Sequence, residues 1–335
     1  MNLIEKFIFN KRVFVLGRNN ESLAVSKKLD IKGIVDDFCE DEFNGIKRFM
    51  SLQLKKNDVI INCSSSISPI SSINHFKSIG INTILNYSEL VTEYDLPLQE
   101  FVSQTKFAFE NQKEVFKQFR NDLFDYESLT TFDSVLNFRL SGDISKMFKY
   151  SVNVKTQYLE DFVDFNNKVF LDIGGFDGDT TELFFNNTNI SSSHIFEPSK
   201  INLQNAKNRL KDFDSVTYHN FGLSNKSQSL RFSDGQGSSS KISNSGDLIE
   251  FRSLDSLNLS NVGILKIDVE GHDLQVLKGA YNTLIKHKPL IMVAIYHSGN
   301  DFIDIYKYLK TIGIYNKFYL RHYTEGWSET ILFCE

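Results

Sequence analysis

Short, nearly continuous apolar runs punctuate this chain, and most of them close on an acid, an asparagine or a glycine. Runs of that kind predict strands buried on both faces of a parallel sheet. In the first hundred residues they fall at Arg12–Leu16, Gly33–Val35, Asp58–Asn62 and Asn82–Leu85, with helical patterns at Glu21–Leu29 and Ile70–Ile79. Strands separated by helices imply right-handed crossovers and a small Rossmann-type domain over residues 1–97. Residues 98–150 change character. Ala108, Val115, Phe116, Phe119 and Leu123 recur at helical spacing, and Asp133–Leu140 and Ile144–Tyr150 form shorter helical runs. The pattern predicts a helical connector that also covers the next domain as a lid. From residue 151 to 335 a second strand series follows: Val169–Leu171, His194–Phe196, Val216–Asn220, Gly263–Ile267 and Leu290–Ile295. Lys317–Leu320 and Thr330–Phe333 end the chain, and Ser233–Ser240, rich in Gly and Ser, reads as a loop. The fold class expected is α/β, with two Rossmann-type domains.

One stretch organises the second series, V-F-L-D-I-G-G-F-D-G-D at 169–179. Its strand ends at Asp172. Gly174, Gly175 and Gly178, with Asp177 among them, form a loop nearly free of side chains, and Thr180–Phe185 starts a helix. Strand, glycine loop and helix N-terminus make a cradle for a nucleotide-like ligand. The dinucleotide fingerprint fails, because alignment on Gly175 and Gly178 puts Ile173 where the first glycine belongs. An acid beside the loop suits a ligand with a cationic amino-acid end, such as S-adenosylmethionine. The next strand ends in Glu197-Pro198, where a carboxylate can accept both ribose hydroxyls. A bare glycine turn without ligand is the competing reading. In the first domain Gly17 is followed by Asn19 and Ser22 instead of glycines, so Asp36 and Asp37 as ribose acids, and Ser64–Ser66 as a phosphate or sugar contact, remain a weaker pattern.

Composition narrows this modestly. Net charge is −5, which gives no case for a basic nucleic-acid surface. Three dispersed cysteines make neither a zinc spacing nor a disulfide framework, and no apolar run reaches membrane-span length. Glu5 interrupts the N-terminal apolar segment, so no signal-peptide core is read. These point to a cytoplasmic protein, with a homodimer left open. Phenylalanine is abundant, at 30 residues, which reads as core.

V-F-L-D-I-G-G-F-D-G-D, I-F-E-P, L-K-I-D-V-E-G-H-D-L-Q-V-L-K-G-A, I-Y-H and F-Y-L-R-H-Y occur in this order. Over residues 130–335 the chain thereby resembles the FkbM family of S-adenosylmethionine-dependent methyltransferases. The resemblance implies a class I fold with a seven-stranded, mostly parallel sheet. It implies cofactor contacts at Asp172, Gly174, Gly178 and Glu197, and from the loop after the third strand, near Asn220–Gly222. It also implies O-methylation of sugars on glycans, nucleotide sugars or glycosylated metabolites. His272-Asp273 departs from the family's usual small residue and Glu.

Methyl transfer to a sugar hydroxyl needs in-line alignment and a proton acceptor. His297, just past the fifth strand, is the first candidate, and His272, past the fourth, is the second. Asp268 is a catalytic or cofactor-amino contact, and Glu270, Arg321 and His322 are candidate substrate contacts. Asp268 and Glu270 are two carboxylates, too few to define a metal site, so no tightly bound Mg²⁺ is favoured. The alternatives are a catalytically inactive scaffold or carbohydrate-binding protein on the same fold and, more weakly, a nicotinamide-dependent oxidoreductase.

Overall fold

The computed structural model of the protein describes residues 3–233, 241–242 and 246–335. The predicted Ser233–Ser240 loop lies outside them, apart from Ser233. The chain divides into two compact units. One holds Met1–Glu110, Thr131–Val154 and His322–Glu329, and the other holds Asn111–Thr130, Lys155–Arg321 and Thr330–Glu335. The helical stretch 98–150 is shared between them.

The first unit carries a five-stranded sheet: β1 Val13–Leu16, β2 Gly33–Val35, β3 Arg48–Phe49, β4 Val59–Asn62 and β5 Thr83–Asn86. The order is β3-β2-β1-β4-β5 and every pairing is parallel. Alternate residues bury on opposite faces. Val13, Val15, Ile34 and Ile61 face one apolar cluster, while Phe14, Val35 and Ile60 join Phe76 and Ile81 in the other. This double burial is why the strands read as unbroken apolar runs. The two-residue β3 was not predicted; R-F is too short to show a period.

The second unit carries β6 Val169–Ile173, β7 Ser192–Phe196, β8 Val216–His219, β9 Gly222–Leu223, β10 Gln228–Ser233, β11 Lys241–Ile242, β12 Asp247–Arg252, β13 Val262–Ile267, β14 Leu290–Ala294, β15 Phe318–His322 and β16 Thr330–Cys334. Seven of these form a sheet in the order β15-β16-β14-β13-β6-β7-β8. Neighbours from β14 to β8 run parallel, and β16 is antiparallel to β14. Strand order reverses between β6 and β13, so their carboxyl ends open the crevice where ligands of such sheets bind. A small sheet, β11-β10-β12-β9, was not foreseen. Its hairpin strands bury only Phe232 and Phe251, against polar alternation that reads as loop. Among the described residues no helix is long and apolar enough to cross a membrane.

Candidate active site

β6 delivers Asp172 to the root of the glycine loop. Asp172 is fully buried: Lys266 Nζ lies 3.0 Å from Oδ1, and the Thr181 hydroxyl donates to Oδ2 at 2.9 Å. The pair is set by register, since Lys266 on β13 stands opposite Asp172 on β6. Lys266 Nζ also donates to the Gly174 carbonyl at 2.8 Å. Burial opposes the ammonium, but the carboxylates of Asp172 and Asp268 outweigh it and hold Lys266 above the usual lysine range. Asp172 therefore braces the loop from behind.

Two glycines in the loop are steric necessities. Gly174 has φ +73° and a Cβ there would run into the Asp268 carbonyl; Gly178 has φ +82° and a Cβ would meet Leu210 Cδ1 at 2.8 Å. Gly175 N–H donates to the Phe196 carbonyl at 3.3 Å. Phe176 takes φ +44°, a rare conformation for an aromatic residue, and its N–H donates to Glu197 Oε2 at 3.1 Å. Glu197 Oε1 accepts the Ser199 N–H at 2.8 Å. Burial pushes Glu197 up to about 7 against these bonds. Asn220 Nδ2 donates to the carbonyls of Glu197 and Pro198, both at 3.1 Å, tying the loop after β8 to the end of β7. A Cβ at Gly222 would strike the Phe251 ring. Asp177 is paired with Arg209.

A second group converges where β13 and β14 end. His297 Nε2 faces Asp268 Oδ1 at 3.3 Å and Glu270 Oε2 at 3.8 Å, while Nδ1 faces Asp273 Oδ2 at 3.3 Å. Asp273 is buried and pins the loop beneath it, accepting from Val269 N–H and Gly271 N–H at 3.1 Å each. That loop is tightly wound, with φ +54° at Glu270 and +88° at Gly271. Burial disfavours an imidazolium, but the facing carboxylates of Asp268 and Asp273 reverse the effect and raise the ring's pKa well above its usual value. Burial also works against the Asp268 carboxylate, and His297 with Lys266 more than compensates, holding it below the usual range. Asp268 abuts Gly174, so this cluster and the glycine loop share one edge of the sheet.

The remaining predicted residues go elsewhere. His272 binds the Ser224 hydroxyl at 2.9 Å and burial lowers its pKa. Arg321, expected at the substrate, is buried and bound to Asp125 at 2.7 Å, Glu160 at 3.0 Å and Ser128 at 2.9 Å. His322 is also buried; burial and nearby Arg139 push its pKa down to about 3. Both belong to the protein's interior, and their polar groups are occupied there. In the first unit, Asp36 is taken by Arg18 and by the N–H groups of Phe38 and Cys39. Ser66 bonds Ser328. Asp273 and Lys266 were missed. Asp273 opens a helix, where an acid reads as an end-charge partner, and a lysine within an apolar strand was the signal that called for a buried acid.

Residues 172–316 match the family model described as Methyltransferase FkbM domain. The chain carries an FkbM methyltransferase domain. The crystal structure of methyltransferase FkbM from Methylobacillus flagellatus KT superposes with TM-score 0.76 at 21% identity, covering 99% of this chain and 93% of that one. An rRNA methylase from Streptococcus thermophilus is similar at TM-score 0.34 and 12% identity, over 51% of this chain and 87% of its own. No curated protein matches in sequence. The FkbM domain holds both the glycine loop and the His297 cluster, which makes methyltransferase the class of the protein and implies S-adenosylmethionine as methyl donor. Its limits leave the whole of the first unit outside.

Proposed function

We propose that the protein is an S-adenosylmethionine-dependent O-methyltransferase acting on a sugar hydroxyl in a glycan, nucleotide sugar or glycosylated metabolite. The observation that carries this reading is the Asp268–His297 cluster set directly against the glycine loop of a methyltransferase domain. In this reading the loop Gly174–Gly178 cradles the cofactor, and Glu197 uses its remaining lone pairs on the ribose hydroxyls. Pro198, Asn220 and Gly222 shape the neighbouring wall, and Asp172 acts through Lys266 to fix the Gly174 carbonyl.

The sulfonium donor is already activated, so the residues need to align the hydroxyl oxygen and accept its proton. The O–C bond forms as the C–S bond breaks, leaving a neutral thioether, and the proton passes to Asp268. Geometry favours Asp268 over His297, because each nitrogen of the ring is already faced by a carboxylate of the protein. His297 then positions Asp268 and balances its charge. His272, bound to Ser224, has no part in this step.

The test is methyl transfer from S-adenosylmethionine to a panel of sugar and nucleotide-sugar acceptors, read as S-adenosylhomocysteine release and mass gain. Asp268→Asn is expected to lower kcat by about 10²–10⁴-fold on a responsive acceptor. Cofactor turnover with no sugar acceptor, or full activity in the variant, overturns the assignment.

A further inference from the structure

The mechanism uses one carboxylate of the cluster and leaves the others unexplained. Asp268, Asp273 and His297 are the group, among the described residues, whose ligating atoms all lie within 4.8 Å of one another. The His297 side chain keeps only 9% of its accessible surface, and neither ring nitrogen makes a hydrogen bond, although carboxylate oxygens stand 3.3 Å from each. A protonated ring can pair with the facing carboxylates, but three carboxylates around one buried imidazole leave net negative charge, which a bound cation offsets.

We propose that this cluster is a divalent-cation site, with His297 Nε2 and Asp268 Oδ1 as donors, Glu270, outside the tight group, as the rim carboxylate that completes the site on binding, and Asp273 fixing the ring from behind. Ions of this class hold nitrogen and oxygen at about 2.0–2.2 Å, which sets adjacent donors roughly 3.0–3.6 Å apart; the 3.3 Å between Nε2 and Asp268 lies in that range, and Glu270, at 3.8 Å, needs a small side-chain shift to enter it. The tautomer fits as well. Asp273, anchored by two backbone N–H groups, faces Nδ1, where it can accept a hydrogen bond from Nδ1–H. With a cation bound the ring is neutral and offers its Nε2 lone pair in the carboxylate–imidazole–metal arrangement, in place of the imidazolium that pairs with the carboxylates without one. Two carboxylates with one imidazole suit a Mn²⁺-like cation and leave coordination positions open. Asp268 and Glu270 keep 19% and 36% side-chain exposure, so those positions have access to solvent.

The role of the ion rests on the methyl-transfer reading. A bound cation would take two adjacent sugar oxygens at its open positions and lower the hydroxyl pKa, so that the proton would leave for water or for Oδ2 of Asp268 as the methyl is transferred.

The full chain, stripped with EDTA and desalted, is titrated with Mn²⁺ alone, with free Mn²⁺ read by electron paramagnetic resonance. S-adenosylhomocysteine binding is measured on the same samples by calorimetry. One Mn²⁺ per chain is expected. Asp268→Asn and Glu270→Gln should weaken it at least about tenfold, and Asp273→Asn by about 10–100-fold. Glu270, at the rim, serves if a buried variant fails to fold. Absence of Mn²⁺ binding up to about 1 mM, or binding indifferent to Glu270→Gln and Asp268→Asn, overturns the cation site. If S-adenosylhomocysteine still binds in that case, the methyltransferase reading stands alone; Mn²⁺ binding without it leaves the site and removes the reading.

Discussion

At the scale of single residues, Glu197 ties the glycine loop to the end of β7, and in the proposed function it also meets the cofactor ribose. It ties Phe176 and Ser199 through backbone N–H bonds, yet burial keeps its folded pKa near 7 against an ordinary value of 4.5. The unfolded chain therefore ionises first. Stability from this group is present below pH 4.5 and is lost as pH rises through about 7. The shift corresponds to about 3 kcal/mol. Denaturant unfolding of the wild type and Glu197→Gln across pH 4.5–7.5 should show the wild type losing roughly that much relative to the variant; a pH-independent difference would contradict the assignment. Asp172, the loop glycines and Glu197 were legible in the sequence because each closes a strand or a turn. Their reasons were less legible. Gly174 and Gly178 answer to φ and to close neighbours, Asp268 and Leu210, whether or not a ligand is present. Lys266 stood out as a lysine in an apolar strand, but its partner, and the role of Asp273, became visible only through tertiary placement, which no local pattern encodes.

At the scale of elements, the apolar periodicity found the strands of both large sheets, because doubly buried strands leave continuous runs. It failed where burial is one-sided and shallow, as in β10 and β12. It also joined two helices into one. Ala108 to Leu123 reads as a single apolar stripe, but the chain breaks at Gln112 into Glu100–Asn111 and Lys113–Asp122. The second helix packs on Asp301–Ile312. Phe119 stacks on Tyr306 at 4.3 Å between ring centroids and edges against Phe302 at 5.9 Å, while the Tyr306 hydroxyl donates to Asp122 at 2.6 Å. Phe119 is fully buried. Phe119→Ala should cost about 3–5 kcal/mol, read as a lower denaturant midpoint of the second unit. A loss under about 1 kcal/mol would mean that this helix contributes little to the fold.

At the scale of the molecule, the strand order β15-β16-β14-β13-β6-β7-β8 brings two chemistries to one sheet edge. β6 and β7 present the glycine loop and Glu197, and β13 and β14 present Asp268 and His297. The topological switch lies between β6 and β13, and the contact of Gly174 with Asp268 joins the two halves there. The first unit, with its five parallel strands, repeats the architecture without the loop. Gly17 has φ +109° but Asn19 caps the helix, and Asp36 is already paired. The cofactor site we propose therefore lies in the second unit. The most direct test is calorimetric titration of the full chain with S-adenosylhomocysteine and, separately, with NADH. One-to-one S-adenosylhomocysteine binding with Kd of order 1–10 μM, about −7 to −8 kcal/mol, and no heat from NADH, is the predicted result. No binding of S-adenosylhomocysteine, or saturable binding of NADH, would contradict it.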